Sequence, residues 1–226
     1  MPKRNIELIE LDDNDILVRK IALIETAKRC FDLRLQSNAG GNLSVRLACN
    51  EAIVIKPSGI GFNECTVDNL MVADLNGEVL AGSGKPSKDL DFHAGIYRAR
   101  KDVGAIVHVH SPWATGWASA GLEIPCATVQ TIEKVGRIPL IPLGPNGGPQ
   151  RSEDIVPAVE DHSVKAATLA SHGTIGLGKT LVDAQYVVEL LEETAHIAFL
   201  REALAFAKGL NNVPLPTAGL KQQNAV

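Results

Sequence analysis

The stretch that most constrains this chain is Ala105-Ile106-Val107-His108-Val109-His110-Ser111-Pro112. Apolar, largely β-branched residues run unbroken into it, which predicts a buried strand. Strand side chains alternate faces, so His108 and His110 point the same way. Two imidazoles on one side of a rigid strand end form a pair of nitrogen ligands for a transition metal. By themselves they equally suit a solvent-facing or core pair. The rest of the chain has to supply a third ligand, a carboxylate and a substrate pocket.

The chain as a whole, 226 residues, sets the frame for that site. Apolar residues make up 45% and charged residues 21%, enough for a full core in one large domain or two small ones. With no internal repeat and no linker-like stretch, a single domain over 1–226 of mixed α/β type is expected, with a tail after about 209 held only by a partner. A formal net charge of -4 argues against nucleic-acid binding, which needs a basic surface. No apolar run approaches the roughly 20 residues that span a bilayer. Met1-Pro2-Lys3-Arg4 does not open a signal peptide. Cys30, Cys49, Cys65 and Cys126 match no zinc-finger spacing. Free thiols in a reducing cytoplasm are the expectation.

Taken in order, a helix is expected over about 16–35, with Leu17, Ile21, Ile24 and Phe31 on its inner face. Strands follow at 41–46 and 52–55. A hairpin about Asn76-Gly77 joins strands at 70–75 and 78–80. Ser87 or Lys88 opens a helix to about Arg100, and Ser111-Pro112 caps another. Arg137 to Leu143 reads as a strand, Gly144 to Pro149 as a flexible loop and Ser152 to Val159 as a short helix. A buried strand over 166–170 ends at Ser171-His172-Gly173, Gly176 to Gly178 reads as a turn, and Thr180 to Ala207 as a long helix.

His172 is the candidate third ligand, because it too ends a buried strand and is followed by a glycine that keeps the approach to its ring clear. Three histidines with an open position match a catalytic rather than a structural zinc site. Gly41-Asn42-Leu43-Ser44, Ser58-Gly59 and Ser87-Lys88 are three turns with donors suited to a phosphate. Asp89 and Asp91, in the first turn of a helix, either complement its dipole or provide a base or a further ligand. His93, one turn beyond Asp89, either orients the carboxylate or packs. His162 and His196 read as surface residues, and Trp113 and Trp117 as core or subunit contacts.

In this order, Gly-Asn-Leu-Ser, Pro-Ser-Gly, the run from Lys85 to Val103, His-Val-His-Ser-Pro-Trp-Ala-Thr and Ser-His-Gly resemble the class II aldolase/adducin family over about 14–201. The resemblance implies a three-layer α/β/α fold with a central, largely antiparallel sheet. It also implies a homotetramer with active sites at subunit interfaces. Zinc would sit on His108, His110 and His172, phosphate at Asn42, Ser58, Gly59 and Ser87, and the catalytic carboxylate at Asp89. Lys88, where aldolases and epimerases usually carry serine, and Lys134-Val135-Gly136 look more like the 3-oxo-tetronate 4-phosphate decarboxylase branch. The proton-donating tyrosine of the fuculose-phosphate enzymes is replaced, at Val129, and the tail tyrosine of the epimerases is missing. Glu133 is a nearby acid. The expected activity is zinc-dependent carbon–carbon cleavage of a small phosphorylated ketose or keto-acid through an enediolate, with Lys88 neutralising a substrate anion. Decarboxylation, 4-epimerisation and an adducin-like scaffold without catalysis are the alternatives.

Overall fold

The computed structural model describes residues 9–210 and 213–216. In chain order its elements are α1 (Asp13–Asp32), β1 (Asn42–Arg46), β2 (Ala52–Ile55), β3 (Met71–Asp74), β4 (Val79–Ala81), α2 (Leu90–Ala99) and β5 (Ala105–Val109). Then come α3 (Pro112–Ser119), α4 (Val129–Lys134), β6 (Leu140–Ile141), α5 (Ser152–Ala158), β7 (Ala166–Leu169), β8 (Gly173–Gly178) and α6 (Leu181–Ala207). The eight strands form one sheet in the order β4-β3-β2-β1-β5-β8-β7-β6. Every pairing is antiparallel except β6 with β7.

Alternation along the strands builds two cores. Leu43, Val45, Ala105, Val107 and Val109 face one side, where Leu23, Ala27 and Cys30 of α1 and Leu181, Ala184 and Val188 of α6 cover them. Ile53, Ile55, Ile106, Ile175 and Leu177 face the other, under Phe92 and Ile96 of α2 and Ile155 of α5. The result is the expected α/β/α sandwich. Each fully buried aliphatic side chain stabilises it by about 1.5–3 kcal/mol. Since Ile106 points toward α2, so do His108 and His110.

Several sequence expectations shift. Helix α1 starts earlier, at an N-cap where Asp12 accepts the Asn14 N–H at 2.8 Å. Its inner face is Leu23, Ala27 and Cys30, with the expected Ile24 and Phe31 packed partly buried against it, whereas Leu17 and Ile21 stay 44% and 45% exposed. Apolar residues occur around much of α1, so periodicity alone did not choose the side that meets the sheet. Helix α2 begins at Leu90; Ser87 and Lys88 belong to the preceding turn, and Asp89 is the N-cap rather than a residue inside the first turn. The strand expected over 137–143 shrinks to two residues, because Pro139 and Pro142 have no N–H to give to a ladder.

Gly176 to Gly178 is not a turn but part of β8. The glycines are there because α6 crosses the strand closely: a Cβ on Gly176 would lie 2.5 Å from the Ala184 carbonyl, and one on Gly178 2.4 Å from the Ala184 nitrogen. Helix α4, over the segment carrying Val129 and Glu133, has a cap in Thr128, whose side chain accepts from the Thr131 N–H. No described helix is long and apolar enough to cross a membrane.

Candidate metal centre and anion-binding cleft

The central strands bring the candidate residues together at one end of the sheet. Asn42 opens β1 directly opposite His108, near the end of β5. Thr174 of β8 pairs with Val109, which puts His172 just outside the same end. The ring centroids of His108, His110 and His172 lie 4.8–5.2 Å apart. One nitrogen from each ring falls within 4.8 Å of the others.

Neighbouring acceptors set the tautomers. His108 Nδ1–H donates to the Thr174 carbonyl at 2.9 Å, which leaves its Nε2 lone pair free. Gln150 donates its amide N–H groups to the carbonyls of Ile141 and Ala170. Its oxygen is therefore the acceptor that faces His172 Nδ1, at 3.3 Å, and His172 Nε2 is left free in turn. His108 Nε2 and His110 Nε2 are 3.2 Å apart. Two nitrogens each about 2.0–2.1 Å from one tetrahedral zinc would be separated by about 3.3 Å, so this pair matches such an ion. Burial pushes all three imidazoles below their ordinary range, His108 to about 3, so they are neutral ligands at neutral pH. The donor set fits a divalent transition metal.

Glycines make room for the rings. A Cβ on Gly173 would come within 2.7 Å of His110 Cδ2 and 3.2 Å of His108 Cε1. On Gly40 it would come within 2.8 Å of His110 Cε1. The His110 N–H is held by Gln36 Oε1 at 2.8 Å.

Asp89 does not cap α2 with its side chain. The carboxylate turns instead to Asn42, whose Nδ2 donates to it at 2.6 Å, and stands 3.8 Å from His108 Nε2. Burial works to raise its pKa, but the His108 ring and the Asn42 amide outweigh this and hold it below the usual carboxylate range.

A cleft of about 760 Å³ opens over this group. Asn42, Ser58, Gly59, Ser87, Lys88 and Asp89 all line it, together with His110 and His172. Ser58 Oγ donates to the Pro86 carbonyl at 3.0 Å and the Ser58 N–H to the Lys85 carbonyl at 3.0 Å, which ties the second and third turns together. Lys88 is exposed at the rim. Val129 and Glu133 do not line the cleft. His162 is exposed beside Asp102, and His196 stacks on Trp113 at 4.1 Å. Neither belongs to the histidine cluster.

Sequence reading missed Lys56, Gln150 and Arg151, all of which line the cleft. Lys56 is 1% exposed, and its ammonium donates to the carbonyls of Ile60 at 2.6 Å and Pro57 at 3.1 Å. A lysine at the strand end that feeds Pro57-Ser58-Gly59 was a usable signal. Gln150 was hidden behind a Gly/Pro-rich loop read as flexible, although its own amide pins that loop to β6 and to Ala170.

Fold and cleft together define an α/β/α protein with a metal-competent histidine triad and a carboxylate at one end of its sheet. The model of the class II aldolase and adducin N-terminal domain matches residues 21–199, and the chain belongs to that family. A 5-deoxy-D-ribulose 1-phosphate aldolase of Bacillus thuringiensis is 30% identical over 82% of this chain and 86% of its own length. A 3-oxo-tetronate 4-phosphate decarboxylase of Haemophilus influenzae is 31% identical over 81% and 88%. The solved structure of an L-fuculose 1-phosphate aldolase superposes with a TM-score of 0.77 at 28% identity, covering 91% of this chain and 92% of that one. These relatives are lyases, and the chain is an enzyme of their family.

Proposed function

We propose that the protein is a zinc-dependent carbon–carbon lyase acting on a small phosphorylated ketose or keto-acid. The observation that carries this reading is the convergence of three neutral imidazoles, two of them with tautomers set by neighbouring acceptors, beside an ionised carboxylate in a cleft rimmed by donor-bearing turns.

The substrates named for the relatives share one piece of chemistry. Cleavage of a ketose 1-phosphate between C3 and C4 leaves a three-carbon enediolate that keeps the phosphate. Loss of CO₂ from a 3-oxo-tetronate 4-phosphate leaves the same enediolate. Protonated on carbon, it is dihydroxyacetone phosphate in both cases. Only the departing fragment differs, an aldehyde or CO₂.

This chain's residues divide the work. His108, His110 and His172 would hold the zinc, which would supply stabilisation for negative charge developing on the substrate. Asp89 moves the proton to and from the hydroxymethyl carbon, and Asn42 aims its carboxylate. Ser58, Gly59 and Ser87 place backbone and hydroxyl donors at the phosphate. Lys88 balances the phosphate or a substrate carboxylate, and Lys56 holds the first two turns in place. The closed tetramer of the family would bring Val129 and Glu133 of one subunit toward another subunit's cleft. Free cysteines fit a cytoplasmic location.

The test is a panel of ketose 1-phosphates and 3-oxo acid phosphates assayed for dihydroxyacetone phosphate, aldehyde and CO₂. Dihydroxyacetone phosphate with an aldehyde assigns an aldolase, and with CO₂ the decarboxylase, for which Lys88 and the Haemophilus relative speak. Absence of both fragments with zinc-loaded protein removes the lyase reading. A protein with no affinity for zinc would instead favour the scaffold.

A further inference from the structure

Strand β1 and helix α2 meet through a ladder of polar side chains. Asn42, Ser44 and Arg46 alternate onto the α2 side of the sheet. Asp89, His93 and Tyr97 follow one another at helical i, i+4 spacing. Two strand residues advance about 6.7 Å and four helical residues about 6.0 Å, so three rungs stay in step. Asn42 Nδ2 donates to Asp89 at 2.6 Å. Ser44 Oγ lies 2.7 Å from His93 Nδ1 and 2.8 Å from the Tyr97 hydroxyl. The Arg46 guanidinium lies 4.7 Å from the Tyr97 ring centroid, and its Nη2 donates to the Tyr97 carbonyl at 2.8 Å.

Ser44, His93 and Tyr97 are fully buried beside Phe92, Ile96 and Ile106. Polar groups inside an apolar layer are no more stabilising than well-packed hydrophobic ones, and a network that fixes register is their best-attested use. The N-terminus of α2 also forgoes a stabilising side-chain cap, because Asp89 is turned to Asn42. Only the Asn42–Asp89 rung opens onto the cleft.

We propose that Ser44, His93 and Tyr97 are positioning residues for Asp89. They fix the height and rotation of α2 against β1, and through them the placement of the carboxylate beside His108. This rests on the reading of Asp89 as the proton shuttle.

The probe is dihydroxyacetone phosphate in deuterated water, with zinc-loaded protein and hydroxymethyl exchange followed by proton NMR. Tyr97→Phe, which removes one atom, and Ser44→Ala should each slow saturated exchange about 10-fold, with KM and bound zinc unchanged. His93→Leu should do the same, and His93→Asn, which can again meet Ser44, should recover most of the rate. Folded, zinc-loaded Tyr97→Phe and His93→Leu proteins that exchange within two-fold of the parent rate would overturn the proposal. If Asp89→Asn itself exchanges at the parent rate, the shuttle reading fails, and the ladder is judged by stability alone. The change in Tm caused by Asp89→Asn should then differ between the parent and Tyr97→Phe backgrounds. Additive changes would sink the ladder too.

Discussion

His108 is fully buried, donates from Nδ1 to a β8 carbonyl and turns Nε2 toward the His110 ring, the geometry the proposed zinc would use. His108→Ala should therefore lose most of its bound zinc while keeping its fold, as atomic absorption and circular dichroism would report. Retention of full zinc content would contradict the triad. His93 offers a test by pH. Burial pushes its imidazole down from 6.5 to about 4. The unfolded chain then binds a proton below pH 6.5 that the folded chain refuses until about pH 4. Stability is whole above pH 6.5 and falls as pH drops through that window, by up to about 3 kcal/mol for this one group. Urea unfolding of the metal-free protein should show the parent losing more stability between pH 6.5 and 4 than His93→Leu does. Equal losses would mean that His93 protonates in the folded state as readily as in the unfolded one. At this scale the sequence was most legible where chemistry is local. His108 and His110 share a strand, and the three turns carry their donors within a few residues. Lys56 and Gln150 were harder to see, because their partners are backbone carbonyls of chain that folds back on them.

Among the elements, β8 shows what a linear reading cannot supply. Its glycines look like a turn in isolation and are strand residues because α6 passes against them. Gly176→Ala should destabilise the protein by about 1–3 kcal/mol, lowering Tm by several degrees, since the Ala184 carbonyl would have to move. An unchanged Tm would show that α6 gives way freely. Helix α1 makes the complementary point. Its existence followed from apolar spacing, and Ile24 and Phe31 do pack inward, but only the completed sheet selects Leu23, Ala27 and Cys30 over Leu17 and Ile21. Similarly, Pro139 and Pro142 cut β6 to two residues although the composition around it is strand-like.

Over the whole molecule, one side carries exposed apolar side chains that no described residue covers. Trp113, Leu122 and Phe199 surround a groove, and Leu200, Leu204 and Phe206 continue along α6, with Phe206 90% exposed. A monomer rarely leaves such a patch open. Light scattering should report about four times the 24.0 kDa chain mass, and Phe199→Asp should lower it. A monomeric parent would remove the tetramer expectation. The tail beyond residue 216 lies outside the described residues, so its part in assembly rests on the sequence. The proposed chemistry needs a zinc ion, the Asp89 carboxylate and a three-carbon phosphate in one cleft. Its most direct test is solvent deuterium exchange into dihydroxyacetone phosphate by metal-free protein, zinc-loaded protein and zinc-loaded Asp89→Asn. Exchange should occur with the zinc-loaded parent alone and drop at least 100-fold in the other two. Exchange without zinc, or undiminished exchange in Asp89→Asn, would contradict it.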